Sequence, residues 1–267
     1  MKIRCPIFSF QRQVQKETET LFHLTTNACG KKFYFEQVKN LPEPVKRYFL
    51  FALKEEQEYL SFVSTKHDGF FRMKDHQKWM PINGDEYYTS TPPGFVWFAK
   101  LKLSYFFWIT IRDSYLQDRG NMLAKLYSVL TIAKGDSEEI DQGALSRWLS
   151  EAVFFPTALL PNENLAWEPI NDLSARLLFS YRGINIRAQI FFGRSGEIIR
   201  FITNRYCDQT KSLQKWSTYY KSYKTYNDIK IPTEAGAIWH LPAGNFNYAR
   251  FRITDIDLSG TYDLTKL

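Results

Sequence analysis

Glu151 has the most unusual surroundings of any carboxylate in this sequence, in Arg147-Trp148-Leu149-Ser150-Glu151-Ala152-Val153-Phe154-Phe155-Pro156. Large apolar neighbours desolvate a carboxylate and raise its pKa unless a cation holds it charged, and Arg147 stands one helical turn earlier. Two roles fit: a general acid or polar anchor at the bottom of a pocket, or a member of a structural ion pair. Asp113, in Ile111-Arg112-Asp113-Ser114-Tyr115, admits the same two roles. An enzyme using Glu151 or Asp113 as acid or base would show a bell-shaped pH profile, but no substrate follows from either residue. The chain has no Gly-x-Ser-x-Gly elbow, no phosphate-binding Gly-x-x-x-x-Gly-Lys loop, no His-Glu-x-x-His and no dinucleotide fingerprint. His23, His67, His76 and His240 are far apart, as are Cys5, Cys29 and Cys207, so neither set has metal-ligand spacing. No catalytic residue, metal or cofactor is assigned.

A second kind of chemistry lies in the charge distribution. Residues 182–230 hold ten Lys or Arg against three Asp or Glu, an excess equal to the +7 net charge of the whole chain. Within them Lys215-Trp216-Ser217-Thr218-Tyr219-Tyr220-Lys221-Ser222-Tyr223-Lys224-Thr225-Tyr226 interleaves cations with aromatics. On a strand Tyr219, Lys221 and Tyr223 share one face, and Tyr220, Lys224 and Tyr226 the other. Rings that stack on bases and lysines that meet phosphates suit single-stranded nucleic acid, and Lys215, Lys221 and Lys224 also suit an anionic membrane surface. The same pattern fits a solvated sheet face whose lysines discourage edge pairing. Binding through residues 211–230 would fall steeply with salt.

These residues must be positioned by local structure. Phe10, Val14, Leu21 and Leu24 recur at helical spacing, with Asn27-Ala28-Cys29-Gly30 as a stop, and a second helix follows Leu41-Pro42-Glu43-Pro44 with Val45, Phe49, Ala52 and Leu53 on one face. From Tyr59 the period becomes two. Strand-like segments fall near 59–64, 68–73, 95–103, 105–112, 121–133, 174–181, 184–192, 197–206, 216–226 and 246–257. Asn83-Gly84-Asp85, Pro92-Pro93-Gly94, Arg182-Gly183 and Arg194-Ser195-Gly196 read as turns. One helix interrupts them, with Leu145, Trp148, Leu149 and Ala152 on a face, Asp136 and Glu139 as a capping pair, and Pro156 at its end. The expected class is α+β: a long curved antiparallel sheet, half-barrel-like, packed on a few helices. A helical segment over 1–40 precedes a single domain over 41–267.

Composition sets the outer bounds. At 267 residues with 44% hydrophobic and 24% charged residues the chain is an ordinary globular one, while 22 Phe, 16 Tyr and 7 Trp favour sheet. No stretch of 18 apolar residues marks a transmembrane helix, and no apolar run of a signal peptide follows Met1, so the expected location is cytoplasmic. A curled sheet commonly leaves an apolar groove. Trp97, Trp108, Trp167 and Trp239 are the candidate ligand-binding wall of that groove, with Glu151 as its polar group.

Several pieces, in order, resemble an uncharacterised bacterial domain-of-unknown-function family: Pro92-Pro93-Gly94-Phe95-Val96-Trp97, Asp113-Ser114-Tyr115, Arg147 through Pro161, Trp167 with Ile170, Ser174-Ala175, Asn204-Arg205-Tyr206, Trp216-Ser217, Ile231-Pro232, Trp239 and Tyr248-Ala249-Arg250. The resemblance runs from about Leu41 to about Asp257. It departs at Asp118-Arg119-Gly120, where the family pattern has Gly-x-Gly. What it implies is a fold related to the lipoprotein-localisation-factor half-barrel, a curved sheet wrapped over helices that can hold acyl chains; it transfers no catalytic residue. The leading expectation is therefore a protein that binds a lipid or other amphipathic small molecule in the concavity of its sheet. Oligomeric state does not follow from the sequence.

Overall fold

Alternation of apolar and polar residues decides which face of each strand is buried. The computed structural model describes residues 6–25 and 30–260; Asn27–Cys29 and the charged residues before Pro6 lie outside them. Among the described residues thirteen antiparallel strands form one curved open sheet: β1 (Phe62–Phe71), β2 (Met80–Thr89), β3 (Gly94–Lys102), β4 (Trp108–Leu116), β5 (Arg119–Leu126), β6 (Leu130–Gly135), β7 (Leu165–Asn171), β8 (Ser174–Tyr181), β9 (Ile184–Phe192), β10 (Ile198–Cys207), β11 (Ser212–Tyr226), β12 (Ile229–Leu241) and β13 (Gly244–Asp257). Their spatial order is β6-β5-β4-β3-β2-β1-β13-β12-β11-β10-β9-β8-β7. Two meanders are thus joined in the middle by pairing of β1 with β13.

This topology makes β6 and β7 opposite edges, so the chain between them must cross the sheet. Helix α3 (Glu138–Glu151) and two single 3-10 turns, Ala152–Phe154 and Pro156–Leu159, make the crossing inside the concavity. Leu145, Trp148, Leu149 and Ala152 are buried in the main core, as their spacing requires. Polar bonds then fasten α3 to both meanders. The Trp148 indole donates to the Thr89 carbonyl at 2.9 Å, Arg205 Nε donates to the Gly143 carbonyl at 2.9 Å, and the Tyr220 hydroxyl donates to the Ser150 carbonyl at 2.6 Å. The expected capping pair does not form: Ser137 is the N-cap residue, and Asp141 instead accepts the Gly120 amide at 2.6 Å.

Helix α2 (Glu43–Ala52) buries Val45, Tyr48, Phe49 and Ala52 in the same core. Phe33 and Val38 are fully buried there too, so the boundary expected between residues 40 and 41 falls inside one core. Helix α1 (Pro6–Leu24) lies on the opposite face of the sheet, where Val14 and Leu21 pack on Phe62, Tyr87 and Val96 and Glu17 pairs with the buried Arg112 at 3.3 Å. No described helix is long and apolar enough to cross a membrane.

The strands differ from the sequence expectation where glycine misleads. Asn83-Gly84-Asp85 is not a turn but the middle of β2, and residues expected as two strands form the single β1. Gly84 is needed for close approach: a Cβ there would lie 2.7 Å from the Phe98 carbonyl oxygen and 2.9 Å from His67 Nε2. Conversely, real hairpin turns are made by Gln117-Asp118, Tyr127-Ser128 and Asn227-Asp228, all with positive φ and none with glycine. Tyr127-Ser128 splits the expected strand 121–133 into β5 and β6, and Leu103–Phe107 is a loop rather than the start of β4. Asp118 also explains the family departure. It takes the left-handed conformation that Asp tolerates, and its carboxylate accepts the Tyr181 hydroxyl at 2.8 Å.

Gly84→Ala should destabilise the protein by about 1–3 kcal/mol through overpacking. Gly143→Ala, in the interior of α3 with its nearest new contact 3.6 Å from Arg205 Nε, should instead stabilise by about 1 kcal/mol. Chemical denaturation of both variants checks the contrast.

Candidate functional site

Strand register builds the site. Glu86 on β2 lies opposite Trp97 on β3, and Trp97 lies opposite Asp113 on β4. The indole thus stands between two carboxylates in one row on the concave face. Arg147, on the facing side of α3, lies over that row. Its Nη2 is 2.7 Å from Glu86 Oε1, its Nη1 2.8 Å from Asp113 Oδ2 and its Nε 2.9 Å from Glu151 Oε1. The guanidinium carbon is 4.7 Å from the Trp97 ring centroid and 4.9 Å from that of Phe95. All three nitrogens are matched to carboxylates while the flat face rests on aromatic rings, an arrangement that lysine cannot reproduce.

One cation among three largely buried carboxylates leaves excess negative charge. Burial pushes the Glu86 pKa well above the ordinary carboxylate value; Arg147 opposes the shift and the neighbouring Glu151 reinforces it. The cluster therefore favours a proton on Glu86. Beside it the Trp97 indole donates to His67 Nε2 at 2.7 Å, so the imidazole carries its hydrogen on Nδ1. Burial and, secondarily, the charge of Arg147 push the His67 pKa down to about 3, which keeps the ring neutral. His67 Nδ1 has no protein partner.

A cavity of about 360 Å³ opens against this cluster, at the lower end of the range for small-molecule pockets. Both meanders and α3 line it. Glu86, Asp113, Arg147, Glu151 and His67 meet apolar walls that include Ile111, Met122, Phe154, Phe251 and Ile253. Toward solvent the lining reaches Met73 and Ile132, both about half-exposed. A wider cleft of about 840 Å³ beside Leu24 and Lys31 brings together no buried charged side chain among the described residues.

Of the groove residues expected from sequence, Trp97 and Glu151 line this cavity and three do not. Trp108 lies at the base of the β3–β4 loop, under the Lys100 ammonium and against Tyr127. Trp167 is buried in the core, its indole donating to the Leu159 carbonyl at 3.0 Å. Trp239 stacks on Tyr248 and packs against Trp216, one ring away from the cavity lining. Asp113 and Glu151 meet at one arginine. Glu86 and His67 were not singled out from sequence. Reading Ile82, Gly84, Glu86 and Tyr88 as one strand face, rather than breaking at Gly84, would have placed Glu86 inside.

The basic stretch takes a different form from the one expected. Trp216 and Tyr220 are buried, and the Tyr223 hydroxyl donates to the Ile198 carbonyl at 2.8 Å as its ring packs on Phe51. Ser222, at φ 57°, interrupts the alternation, so Tyr220 and Tyr223 both turn inward while Lys221 and Lys224 stay outside. Lys221 keeps only the half-buried Tyr219 ring beside it, 5.6 Å from its ammonium, while Trp216, Tyr220 and Tyr223 lie on the inner side.

The family described as "Family of unknown function (DUF6544)" matches residues 31–251. The chain belongs to that family. No curated protein matches the chain significantly. Among solved structures, it is similar to a LolA superfamily protein from Nitrosomonas europaea, at 9% identity and TM-score 0.39, covering 80% of this chain and 91% of the other. A DUF1329 family protein from Desulfovibrio piger gives 9% identity and TM-score 0.43, covering 83% and 95%.

The charge arrangement has a thermodynamic signature. The folded protein holds the Glu86 proton to higher pH than the unfolded chain does. Its stabilising contribution is therefore present below the ordinary carboxylate range and is lost as pH climbs through the raised folded value. Glu86→Gln keeps the neutral shape, so its stability relative to wild type should improve steadily as pH rises above the ordinary carboxylate range in urea denaturation. Parallel curves would mean that Glu86 holds no such proton. Arg147→Met strands the carboxylates and should cost about 3–5 kcal/mol at neutral pH. Part of that loss should be recovered as pH falls, because protonation removes the stranded negative charge.

Proposed function

We propose that this protein binds a lipid or another single-chain amphiphile, with the apolar chain in the cavity between the sheet and α3. The observation that carries the reading is a division of labour in the lining. The charged groups are paired with one another through Arg147, with Glu151 Oε2 the one carboxylate oxygen of the cluster left buried without a partner, whereas the apolar walls from both meanders face open space. A guest there gains mainly from apolar burial, about 25 cal/mol per Å² before the costs of binding are subtracted. Arg147, Glu86 and Asp113 act here as structure, fixing α3 at the distance from the sheet that leaves the cavity open.

Native mass spectrometry of freshly purified protein, with organic extraction of anything retained, should find a stoichiometric amphiphile. Displacement of a fluorescent probe by fatty acids of increasing length should then show affinity rising by up to about fourfold per methylene, equivalent to about 0.8 kcal/mol, until the cavity is full. Ala124→Phe, which fills the cavity from β5, should abolish the length dependence. An empty protein with no saturable displacement would overturn the reading.

A further inference from the structure

The loop between β3 and β4 holds large apolar side chains in water. Tyr105 is 94% exposed, Phe106 72% and Phe107 50%, with Leu103 also at the surface. The loop is nevertheless ordered: the Leu103 and Ser104 amides both donate to the Phe107 carbonyl, at 2.9 and 3.1 Å, and the Tyr105 and Phe106 rings meet edge to face. A fixed conformation that presents its aromatics outward marks a surface that something else covers. The neighbouring β5–β6 turn extends it. Phe107 packs on Tyr127 with centroids 5.7 Å apart, and Val129, Leu130 and Ile132 are exposed beside them. Ile132 also lines the cavity, so the apolar surface runs from the loop tip to the cavity wall.

Charge identifies the partner. Neither Phe98–Arg112 nor Arg119–Gly135 contains an aspartate or glutamate, while Lys100, Lys102, Lys125 and Lys134 fall within them; Lys134 pairs with Asp136 just beyond, and Lys100 and Lys125 lie over the Trp108 and Phe10 rings. Lys102, at the foot of the aromatic loop, is exposed and has no carboxylate partner among the described residues. Aromatic side chains backed by a lysine that reaches outward suit the boundary between anionic headgroups and acyl chains. We infer that this end of the molecule docks on an anionic lipid bilayer, with Tyr105, Phe106 and Phe107 entering the interface and Lys102 meeting the headgroups. Docked in this way, the cavity wall at Ile132 adjoins the bilayer, a route for an acyl chain between the two. That route rests on the cavity reading; the docking itself does not.

Cosedimentation with phosphatidylcholine vesicles, with and without about one-fifth phosphatidylglycerol, tests the inference on the full chain. Binding is expected to the anionic vesicles, weakening with salt. Replacing Tyr105, Phe106 and Phe107 together by Ser should reduce it by about tenfold or more, and Lys102→Glu by roughly fivefold. The substituted side chains are exposed, so the fold and probe displacement by fatty acids should be unchanged. Loss of vesicle binding with retained fatty-acid binding therefore separates the two readings. Absence of wild-type binding, or equal binding by the triple variant, overturns the inference. So does a wild-type dimer that the triple variant converts to monomer, because the patch would then be covered by a second copy along the exposed β6 edge.

Discussion

The arginine at position 147 is the point through which the two layers of this fold are joined. A guanidinium placed largely out of water must have its donors matched, and only carboxylates matched to each of its edges offset the cost of desolvation. The sheet supplies two of them because register sets Glu86 and Asp113 on either side of Trp97, and α3 supplies the third one turn later at Glu151. Helix position, strand register and side-chain charge are therefore one constraint. A slip of one residue in β2 or β4 would carry its carboxylate to the other face and leave Arg147 short of a partner.

From that constraint the cavity follows. A helix packed on apolar side chains alone would settle until the space beneath it closed, since interiors fill to crystal-like density. Bonds to Thr89, Gly143 and Ser150 hold α3 at several points along its length, and the salt-bridged row props it over β2–β4. The open space remains where the two meanders curve away beside that prop. Its charged groups are paired through Arg147, apart from one Glu151 oxygen, which leaves apolar burial as the main attraction for a guest. The same sheet carries the exposed aromatic loop of Tyr105, Phe106 and Phe107 and, at the cavity's rim, the half-exposed Ile132.

Much of this architecture was legible in the sequence, and the failures have physical causes. Alternation such as Ile184, Ile186, Ala188 and Ile190 announced an antiparallel sheet, and Leu145, Trp148, Leu149 and Ala152 announced the face of α3. The Arg147–Glu151 pair followed from a four-residue spacing. Glu86 and His67 did not, because their partners are distant in sequence and because Gly84 looked like a turn residue. A glycine serving close approach between strands and a glycine serving a turn are identical in one dimension. Hairpins turning on Tyr127-Ser128 or Asn227-Asp228 gave the opposite error, since non-glycine residues in the left-handed region send no compositional signal. The tryptophans illustrate a further limit: Trp97 and Trp167 are both buried aromatics on strands, but only a three-dimensional neighbour distinguishes a cavity wall from a filled core.

The most direct measurement is anomalous diffraction from crystals of the protein soaked with a fatty acid brominated at its methyl end. A bromine peak within the cavity, among Ile111, Phe154 and Phe251, is the expected result, with Arg147 still bonded to Glu86, Asp113 and Glu151. Bromine found only at the protein surface, with the cavity unchanged, would contradict it.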